Sequence, residues 1–291
     1  MSHNQVPQHF PASDVVFLDA GNGTSALIHL HGATVLSWKV NGKEMLFVSE
    51  KSVFDGKKAI RGGIPIVFPQ FGPWASGPQH GFCRIKRWNS EIPPTKDSKG
   101  TVIAMLSLQD DEETRQMWNY KFKVVYSLRL QENAFIMNLT IHNEGMCISF
   151  FGFSTLLHSY IRTPDILNTS VHGLNGVKYV DKVNNNRTDV EKRENIFMDE
   201  NYDRVYIACP THVDVSHIGC GQHNLNIKTF NLPDIVLWNP WTEKAKAMSD
   251  FGDEEYKNMI CVEGGKVNKP VTLEAGKQFE CSQTFTVSPA Y

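Results

Sequence analysis

The 291 residues, 41% apolar and 21% charged, are enough to bury a large hydrophobic core, and this composition argues against disorder. The 29 basic and 31 acidic residues give a net charge of −2, which argues against a general attraction to nucleic acid or to an anionic membrane. Any anion-binding site must therefore be local.

The cellular location and the state of the thiols also follow from simple patterns. Residues 1–16 contain no secretion or transit pattern, and the chain has no apolar run of about 18 residues or more, so we expect a cytosolic protein with no membrane partner. No apolar interface stripe is evident, so we expect a monomer. The absence of a C-x-x-C pair argues against zinc ribbons and redox motifs and predicts reduced, mostly buried thiols at Cys83, Cys147, Cys209, Cys220, Cys261 and Cys281.

Alternating apolar side chains predict strands along the whole chain. The alternation over 36–40 ends at Asn41-Gly42, a hairpin turn signal, and a strand is expected to resume over 44–49. Apolar residues occupy every second position in 120–130 and again in 134–143, which predicts an antiparallel pair. Residues 278–287 repeat the pattern near the end of the chain.

Helical patterns are weak by comparison. Residues 110–118 and 253–259 each predict one short helix, and no window carries an apolar stripe over three turns. Many strands without crossover helices predict an all-β, mainly antiparallel fold, a large β-sandwich with few short helices. Because there is no internal repeat or linker, we expect a single domain over 1–291.

An unusual polar cluster begins at Arg61. It precedes two glycines and then residues 64–69, where Pro65 and Pro69 have no N–H for a sheet ladder, so an edge or rim is predicted. Arg61 either projects into a cleft at that rim or is a surface arginine.

A second polar cluster follows at 79–84. If this segment is a strand, His80 and Arg84 share one face, with Gln79 beside them. A ligand-binding rim and a solvated rim both agree with the pattern.

Three further polar residues interrupt apolar segments. His158 closes the most apolar run and is either a hydrogen-bonded core histidine or a general acid or base. Glu263 lies in an apolar strand before paired glycines and is either capped by backbone amides or kept as a base in a partly dry pocket. For Asp203, an ion pair with Arg204 is the simplest explanation.

Other constellations are incomplete. His29 and His31 offer two ligands on one face of a strand, but no third ligand is spaced to complete a metal site, so we predict no metal. The dinucleotide fingerprint, the Walker loop and the G-x-S-x-G elbow are absent from the sequence. Dehydrogenase, kinase and hydrolase functions therefore lose their usual support.

Six motifs, in order across nearly the whole chain, carry a resemblance to a known family. The chain resembles the glucose-6-phosphate 1-epimerases, also called hexose-6-phosphate mutarotases, within the aldose 1-epimerase-like superfamily. The match over 165–200 is loose. The motifs are RGGIPIVFPQFGP (61–73), PQHGFCR (78–84), FSTLLHSYIR (153–162), YDRVY (202–206), LWNPWTEKAKAMSDF (237–251) and MICVEGG (259–265).

The resemblance implies a galactose-mutarotase-like β-sandwich, in agreement with the strand pattern, and it implies a role for each matching position. His158 and Glu263 match the catalytic pair. The substrate-binding positions of the family are matched by Arg61, Gln79, Arg84 and Asp203. We expect His80 to contact the sugar or to support a residue that does.

The implied reaction is the interconversion of the α and β anomers of a hexose 6-phosphate. One base removes the proton of the anomeric hydroxyl and one acid protonates the ring oxygen, so no metal or organic cofactor is expected. Arg61 and Arg84 suit a phosphate, because guanidinium groups bind it bidentately. Two alternatives stay open: an aldose 1-epimerase acting on neutral sugars, and a non-catalytic sugar-phosphate-binding module on the same sandwich.

Overall fold

Strands make up most of the regular structure, as the two-residue periodicity predicts. The structure is a computed structural model that describes residues 10–146 and 149–290. The strands, in chain order, are β1 Val15–Gly21, β2 Thr24–His29, β3 Thr34–Val40, β4 Lys43–Glu44, β5 Ile66–Val67, β6 Asn89–Lys96, β7 Val102–Gln109, β8 Phe122–Leu130, β9 Ala134–Asn143, β10 Phe150–Leu157, β11 Tyr160–Arg162, β12 Ser170–His172, β13 Lys178–Asp181, β14 Arg187–Val190, β15 Asn195–Phe197, β16 Tyr202–Tyr206, β17 His212–Ile218, β18 His223–Phe230, β19 Asp234–Asn239, β20 Met259–Glu274 and β21 Gln278–Pro289.

These strands form three antiparallel sheets. A four-stranded sheet has the order β1-β2-β3-β4. An eight-stranded sheet has the order β14-β13-β16-β19-β20-β10-β5, and β11 also pairs with β20. The order of the nine-stranded sheet is β15-β12-β17-β18-β21-β9-β8-β7-β6. The predicted pair of strands is present as β8 and β9, paired from Phe122↔Asn143 to Leu130↔Phe135.

One continuous hydrophobic core joins the sheets and makes the fold a β-sandwich. Phe153 of the eight-stranded sheet packs edge-on against Phe279 of the nine-stranded sheet, with ring centroids 5.6 Å apart. Trp38 of the four-stranded sheet packs 5.8 Å from Phe285 of the nine-stranded sheet. Full burial of each such large apolar side chain contributes about 1.5–3 kcal/mol. The predicted fold class, an all-β, mainly antiparallel sandwich with few short helices, is confirmed.

The strand expected after the hairpin turn is shorter than predicted. Asn41 and Gly42 do form the turn between β3 and β4, but the ladder ends at Glu44. The Glu44 carboxylate accepts hydrogen bonds from the backbone N–H groups of Trp38 and Leu46, which takes the place of further ladder bonds. The following residues make only isolated bridges, such as Leu46↔Ile161.

The helices are short, and one of them was not predicted. Helix α1, Glu112–Met117, lies where the sequence predicts it and is capped by the Asp111 side chain. The helix expected at 253–259 is a single turn of 3₁₀-helix, Glu255–Asn258. Helix α2, Trp241–Ala247, was missed, because its seven residues bury only Ala245 and carry no apolar stripe. Further 3₁₀ turns cover Ala12–Asp14, Cys83–Ile85 and Ile166–Asn168.

The two glycines after Arg61 serve backbone packing. Gly63 has φ +67°, and a Cβ at this position would lie 2.1 Å from the carbonyl oxygen of Val35. Gly62 similarly approaches the backbone of Phe47 and Val48. The close approach that the glycines allow is therefore to neighbouring chain segments, and the chain then continues into β5, which ends the strand order of the eight-stranded sheet.

Gly63→Ala is expected to lower the free energy of unfolding by roughly 2–5 kcal/mol. The positive φ costs a residue with a Cβ about 1–2 kcal/mol, and forcing extra volume into a packed site costs about 1–3 kcal/mol more. Urea denaturation measures the change. Gly42→Ala is the matched control, since it shares a positive φ but has open space around it. Equal losses in the two variants would refute the packing explanation.

The described cysteines include both buried and accessible thiols. Cys83, Cys261 and Cys281 are buried, Cys209 is partly buried and Cys220 is exposed, and all five are free thiols. Cys147 lies outside the described residues. Among the helices of the described chain, none combines the length and apolarity that a membrane crossing requires.

Candidate active site

One pocket is lined by all seven residues that the sequence predicts to be catalytic or substrate-binding. Its cavity volume is about 320 Å³, at the lower end of the range of small-molecule sites. The predicted residues that line it are Arg61, Gln79, His80, Arg84, His158, Asp203 and Glu263, and they are joined by Phe71, Gly72, Pro73, Lys182, Val236, Trp238 and Met248.

The eight-stranded sheet positions the carboxylates. Asp203 of β16 lies opposite Trp238 of β19, and Glu263 of β20 lies opposite Val236 of β19, so one register sets their spacing. A buried amide from the facing sheet, Gln283, accepts from the Gly264 N–H at 2.9 Å and donates to Ser159 Oγ at 2.8 Å. This bridge fixes the backbone next to His158 and Glu263.

His158 and Glu263 meet at the inner end of the pocket. His158 follows the last residue of β10, and its backbone N–H donates to the Pro65 carbonyl at 3.0 Å. Its ring stacks on Tyr160 with centroids 4.6 Å apart. Nδ1 of His158 lies 3.3 Å from Oε1 of Glu263 but is not aligned for a hydrogen bond. Nδ1 and Glu263 Oε2 are buried polar atoms without a partner among the described residues.

Burial shifts the pKa of Glu263 upward. Desolvation raises the pKa of this carboxyl well above its ordinary value, and Asp203 raises it further. The charges of Lys182 and Arg84 act in the opposite direction.

The pKa of His158 shifts the other way. Burial lowers it well below its ordinary value, and electrostatic interactions with His80, Arg84 and Arg61 lower it further. The carboxyl of Glu263 therefore becomes a weaker acid than usual, and the imidazolium of His158 becomes a stronger one. This pattern is typical of residues that exchange protons during catalysis.

The two arginines present donors to the pocket. Arg61 Nη1 donates to the Tyr160 hydroxyl at 3.2 Å, and Nη2 lies 3.2 Å from Asp250 Oδ2. Arg84 Nη2 donates to the Gln79 carbonyl at 2.7 Å. Burial lowers the pKa of Arg84 to about 10, which leaves it charged at neutral pH. In the described chain, Nε of Arg61 and Nε of Arg84 are buried without a hydrogen-bond partner.

The segment at 79–84 does not form a strand, so His80 and Arg84 do not share a strand face. His80 and Gly81 have φ of +66° and +73°, because the chain passes so close to Phe68 that a Cβ at Gly81 would lie 2.1 Å from its carbonyl oxygen. Gly72 and His80 exchange two hydrogen bonds, and the Gly72 N–H donates to Nδ1 of the ring. Burial lowers the pKa of His80 to about 3, so its ring is neutral at neutral pH.

Asp203 does not form the ion pair that was its simplest explanation. Neighbours on a strand point to opposite faces, and Arg204 Nε lies 2.9 Å from Asp181 Oδ2. Asp203 lines the pocket instead, and burial raises the pKa of its carboxyl, while Lys182 lowers it.

Comparison with known proteins assigns this site to a family. The family model for aldose 1-epimerase matches residues 14–286. The chain belongs to the aldose 1-epimerase family. This membership confirms the resemblance drawn from the six motifs and places the chain among isomerases.

Individual aldose 1-epimerase relatives cover most of the chain. A protein of Cenchrus ciliaris is 37% identical in an alignment of 274 residues that covers 91% of this chain and 82% of the relative. A Salmonella typhimurium protein is 32% identical over 262 residues, or 89% and 85% of the two chains. Both carry the name "Putative glucose-6-phosphate 1-epimerase". The crystal structure of a "putative mutarotase" from Salmonella typhimurium superposes with TM-score 0.84 at 29% identity, covering 92% of this chain and 88% of the other.

Sequence reasoning missed several pocket residues of this aldose 1-epimerase family member. Trp238 and Met248, which line the pocket, and Asp250, which pairs with Arg61, fall within the motif at 237–251, so closer reading of that motif could have found them. Lys182 lies in the loosely matched region 165–200 and carries no sequence signal. It reaches the pocket only because β13 pairs with β16.

Two clusters contain metal-ligand types. Ligand atoms of His158, Cys261 and Glu263 lie within 4.8 Å of one another and could hold a metal ion. Cys261 packs with Tyr160 in the core and is not among the pocket-lining residues. His31 Nε2 bonds to the Lys58 carbonyl, and His29 Nδ1 accepts from the His31 N–H, so each uses a ring nitrogen within the protein.

Proposed function

We propose that this protein interconverts the α and β anomers of hexose 6-phosphates, chiefly glucose 6-phosphate. One observation carries the proposal: an acid–base pair 3.3 Å apart shares a pocket with two arginines whose Nε atoms are buried without partners among the described residues. The names of the relatives agree with this substrate. A pocket for a neutral sugar needs hydrogen-bonding groups rather than two half-buried cations.

In the proposed mechanism, Glu263 and His158 exchange protons with the sugar. Glu263 takes the proton of the anomeric hydroxyl, and protonated His158 donates a proton to the ring oxygen. The bond between C1 and the ring oxygen breaks to give an open-chain aldehyde. Rotation about the C1–C2 bond turns the aldehyde, and reclosure with the roles reversed gives the other anomer. The raised pKa of Glu263 makes it a stronger base, and the lowered pKa of His158 makes it a stronger acid.

In the same proposal, the phosphate binds between Arg61 and Arg84. Guanidinium groups form charge-assisted hydrogen bonds with phosphate, each contributing about 1.5–3 kcal/mol. A bound phosphate also offsets the two positive charges that lower the pKa of His158. Burial, the largest cause of the lowered pKa, remains, but the phosphate removes the contribution of the arginines and so favours the protonated acid.

The remaining predicted residues hold the sugar or the loop around it. We assign Asp203 to a ring hydroxyl, since a carboxylate repels phosphate, and Gln79 to a polar contact at the rim. We assign His80 to loop support, because its ring nitrogen binds the Gly72 N–H. The mechanism uses side chains alone, so we predict no cofactor requirement. A cytosolic location, a monomeric state and a single domain stay predictions.

The test is the rate of anomer exchange, measured by NMR magnetisation transfer on glucose 6-phosphate and on glucose. We expect kcat/KM to be at least about tenfold higher for the phosphorylated sugar. This lower bound corresponds to about 1.5 kcal/mol, the low end of what one charge-assisted hydrogen bond contributes to binding. Equal kcat/KM values would favour a neutral-sugar epimerase. Binding of both sugars without exchange of either would favour a binding module.

A further inference from the structure

Three side chains at the inner end of the pocket are of the types that bind zinc. Cys261 and Glu263 are two residues apart on β20, so they lie on the same face of that strand. Tyr160 of β11 pairs with Cys261, which sets His158, two residues before Tyr160, beside Glu263. The register of neighbouring strands therefore brings a thiol, a carboxyl group and an imidazole together.

The distances between these groups suit a small ion. Ligand atoms of all three residues lie within 4.8 Å of one another, and Nδ1 of His158 is 3.3 Å from Oε1 of Glu263. Zinc bonds of about 2.0–2.3 Å in a tetrahedron place neighbouring ligand atoms about 3.3–3.6 Å apart, so side-chain shifts of about 1 Å complete the geometry. The imidazole and the carboxylate already have the required separation.

The ligand atoms are not engaged elsewhere in the part of the chain that the structure describes. All three side chains are more than nine-tenths buried. Nδ1 of His158 and Oε2 of Glu263 have no hydrogen-bond partner there, and Cys261 is a free thiol. A buried polar atom without a partner costs free energy, and a bound ion removes that cost. The unpartnered atoms therefore point to a ligand independently of the residue types.

The set of donors selects the kind of ion. Thiolate and imidazole favour Zn²⁺, whereas Mg²⁺ and Ca²⁺ take oxygen ligands. One thiolate and one carboxylate balance the two charges of Zn²⁺, which offsets the repulsion from Arg61 and Arg84 in the same pocket. Three protein ligands leave the fourth position of the tetrahedron open to the cavity.

We propose that His158, Cys261 and Glu263 form an inhibitory Zn²⁺ site. The ion binds the imidazole and the carboxylate that exchange protons with the sugar, so a molecule that holds zinc cannot use them as acid and base. Zinc binding follows from the geometry alone, whereas inhibition rests on the proposed function. Because the proposed mechanism needs no metal, Zn²⁺ acts here as an inhibitor and not as a cofactor.

Zinc titration of glucose 6-phosphate exchange tests the inhibition, with NMR magnetisation transfer as the assay. We expect Zn²⁺ to raise KM, since the ion and the sugar use the same atoms, and EDTA to restore the rate. Mg²⁺ at the same concentration should have no effect. In Cys261→Ser, half inhibition should need at least about tenfold more Zn²⁺, because losing even a group that only supports a ligand weakens metal binding by about 10- to 100-fold.

The controls separate this site from surface binding and from misfolding. Each rate is compared with the rate of the same variant in EDTA, and Cys261→Ala should repeat the result of Cys261→Ser. Cys220→Ser is the matched control, because Cys220 is an exposed thiol whose Sγ lies 3.9 Å from Nδ1 of His223. Its zinc inhibition should equal that of the wild type. Equal inhibition of Cys261→Ser and the wild type would overturn the inference, as would stimulation of exchange by Zn²⁺.

Co²⁺ absorption reports the site without any use of activity. A bond between Co²⁺ and a thiolate absorbs strongly in the near ultraviolet. We expect this band in Cys220→Ser, where the exposed thiol is removed, and its loss when Cys261→Ser is added. A Cys220→Ser protein without the band would contradict the site. Failure of the proposed function would appear separately, as absent exchange in EDTA-treated wild-type protein while the cobalt band still depends on Cys261.

Discussion

Glu263→Gln is expected to lower the catalysed anomer exchange of glucose 6-phosphate by about 10²- to 10⁴-fold, the usual contribution of one positioned general base. The amide has nearly the same shape as the carboxyl but cannot take the proton of the anomeric hydroxyl. Because Glu263 is only 1% exposed, removal of its charge should leave the free energy of unfolding equal or higher. Selective-inversion NMR measures the exchange rate.

The controls for Glu263→Gln separate chemistry from binding and folding. Glucose 6-phosphate should bind the variant with a Kd within a few-fold of the wild type. Glu274→Gln makes the same chemical change on the same strand at an exposed position, and it should leave exchange unchanged. If Glu263→Gln retains the wild-type rate while binding the sugar phosphate, Glu263 is not the base.

Arg84→Met is expected to raise KM for glucose 6-phosphate by about ten- to a hundredfold, the equivalent of about 1.5–3 kcal/mol for a charge-assisted contact. Methionine keeps part of the apolar stem and removes the guanidinium. Arg84 is the better choice for this test, because Arg61 is tied to Tyr160 and Asp250 and its loss would leave a half-buried carboxylate unpaired. Steady-state exchange rates over a range of sugar phosphate concentrations give KM.

Two comparisons define what the Arg84→Met result means. Any exchange of unphosphorylated glucose should be little affected, because that sugar makes no contact with the phosphate-binding groups. Arg129→Met, on the exposed face of β8, should have no effect on either sugar. A KM that rises equally for both sugars would place Arg84 on the sugar ring and contradict the phosphate assignment.

The sheet framework was predictable because a strand places side chains on alternate faces. The alternation at 120–143 gave β8 and β9 nearly residue by residue, and Asn41-Gly42 gave the hairpin turn. Helix α2 could not be found in this way, since it is brief, follows Pro240 and begins with Trp241 at φ +56°. Its conformation depends on its surroundings more than on its own sequence.

The site was predictable only where sequence motifs marked it. Residue-by-residue reasoning left Arg61 and His80 open between a site and a solvated rim, because their convergence depends on tertiary contacts that local patterns do not encode. The resemblance supplied the missing information, and all its positions line one pocket. Lys182 shows the limit of that approach, since it enters the pocket through strand pairing in a region where no motif matches.

The central claim is that the arginines hold the phosphate while the anomeric carbon lies at the Glu263 and His158 pair. The most direct measurement is a crystal structure of the Glu263→Gln protein with glucose 6-phosphate. The account predicts phosphate oxygens in contact with the guanidinium groups of Arg61 and Arg84, and the ring oxygen within hydrogen-bond distance of His158. A phosphate bound beside Lys182, with the anomeric carbon directed toward the arginines, would contradict it.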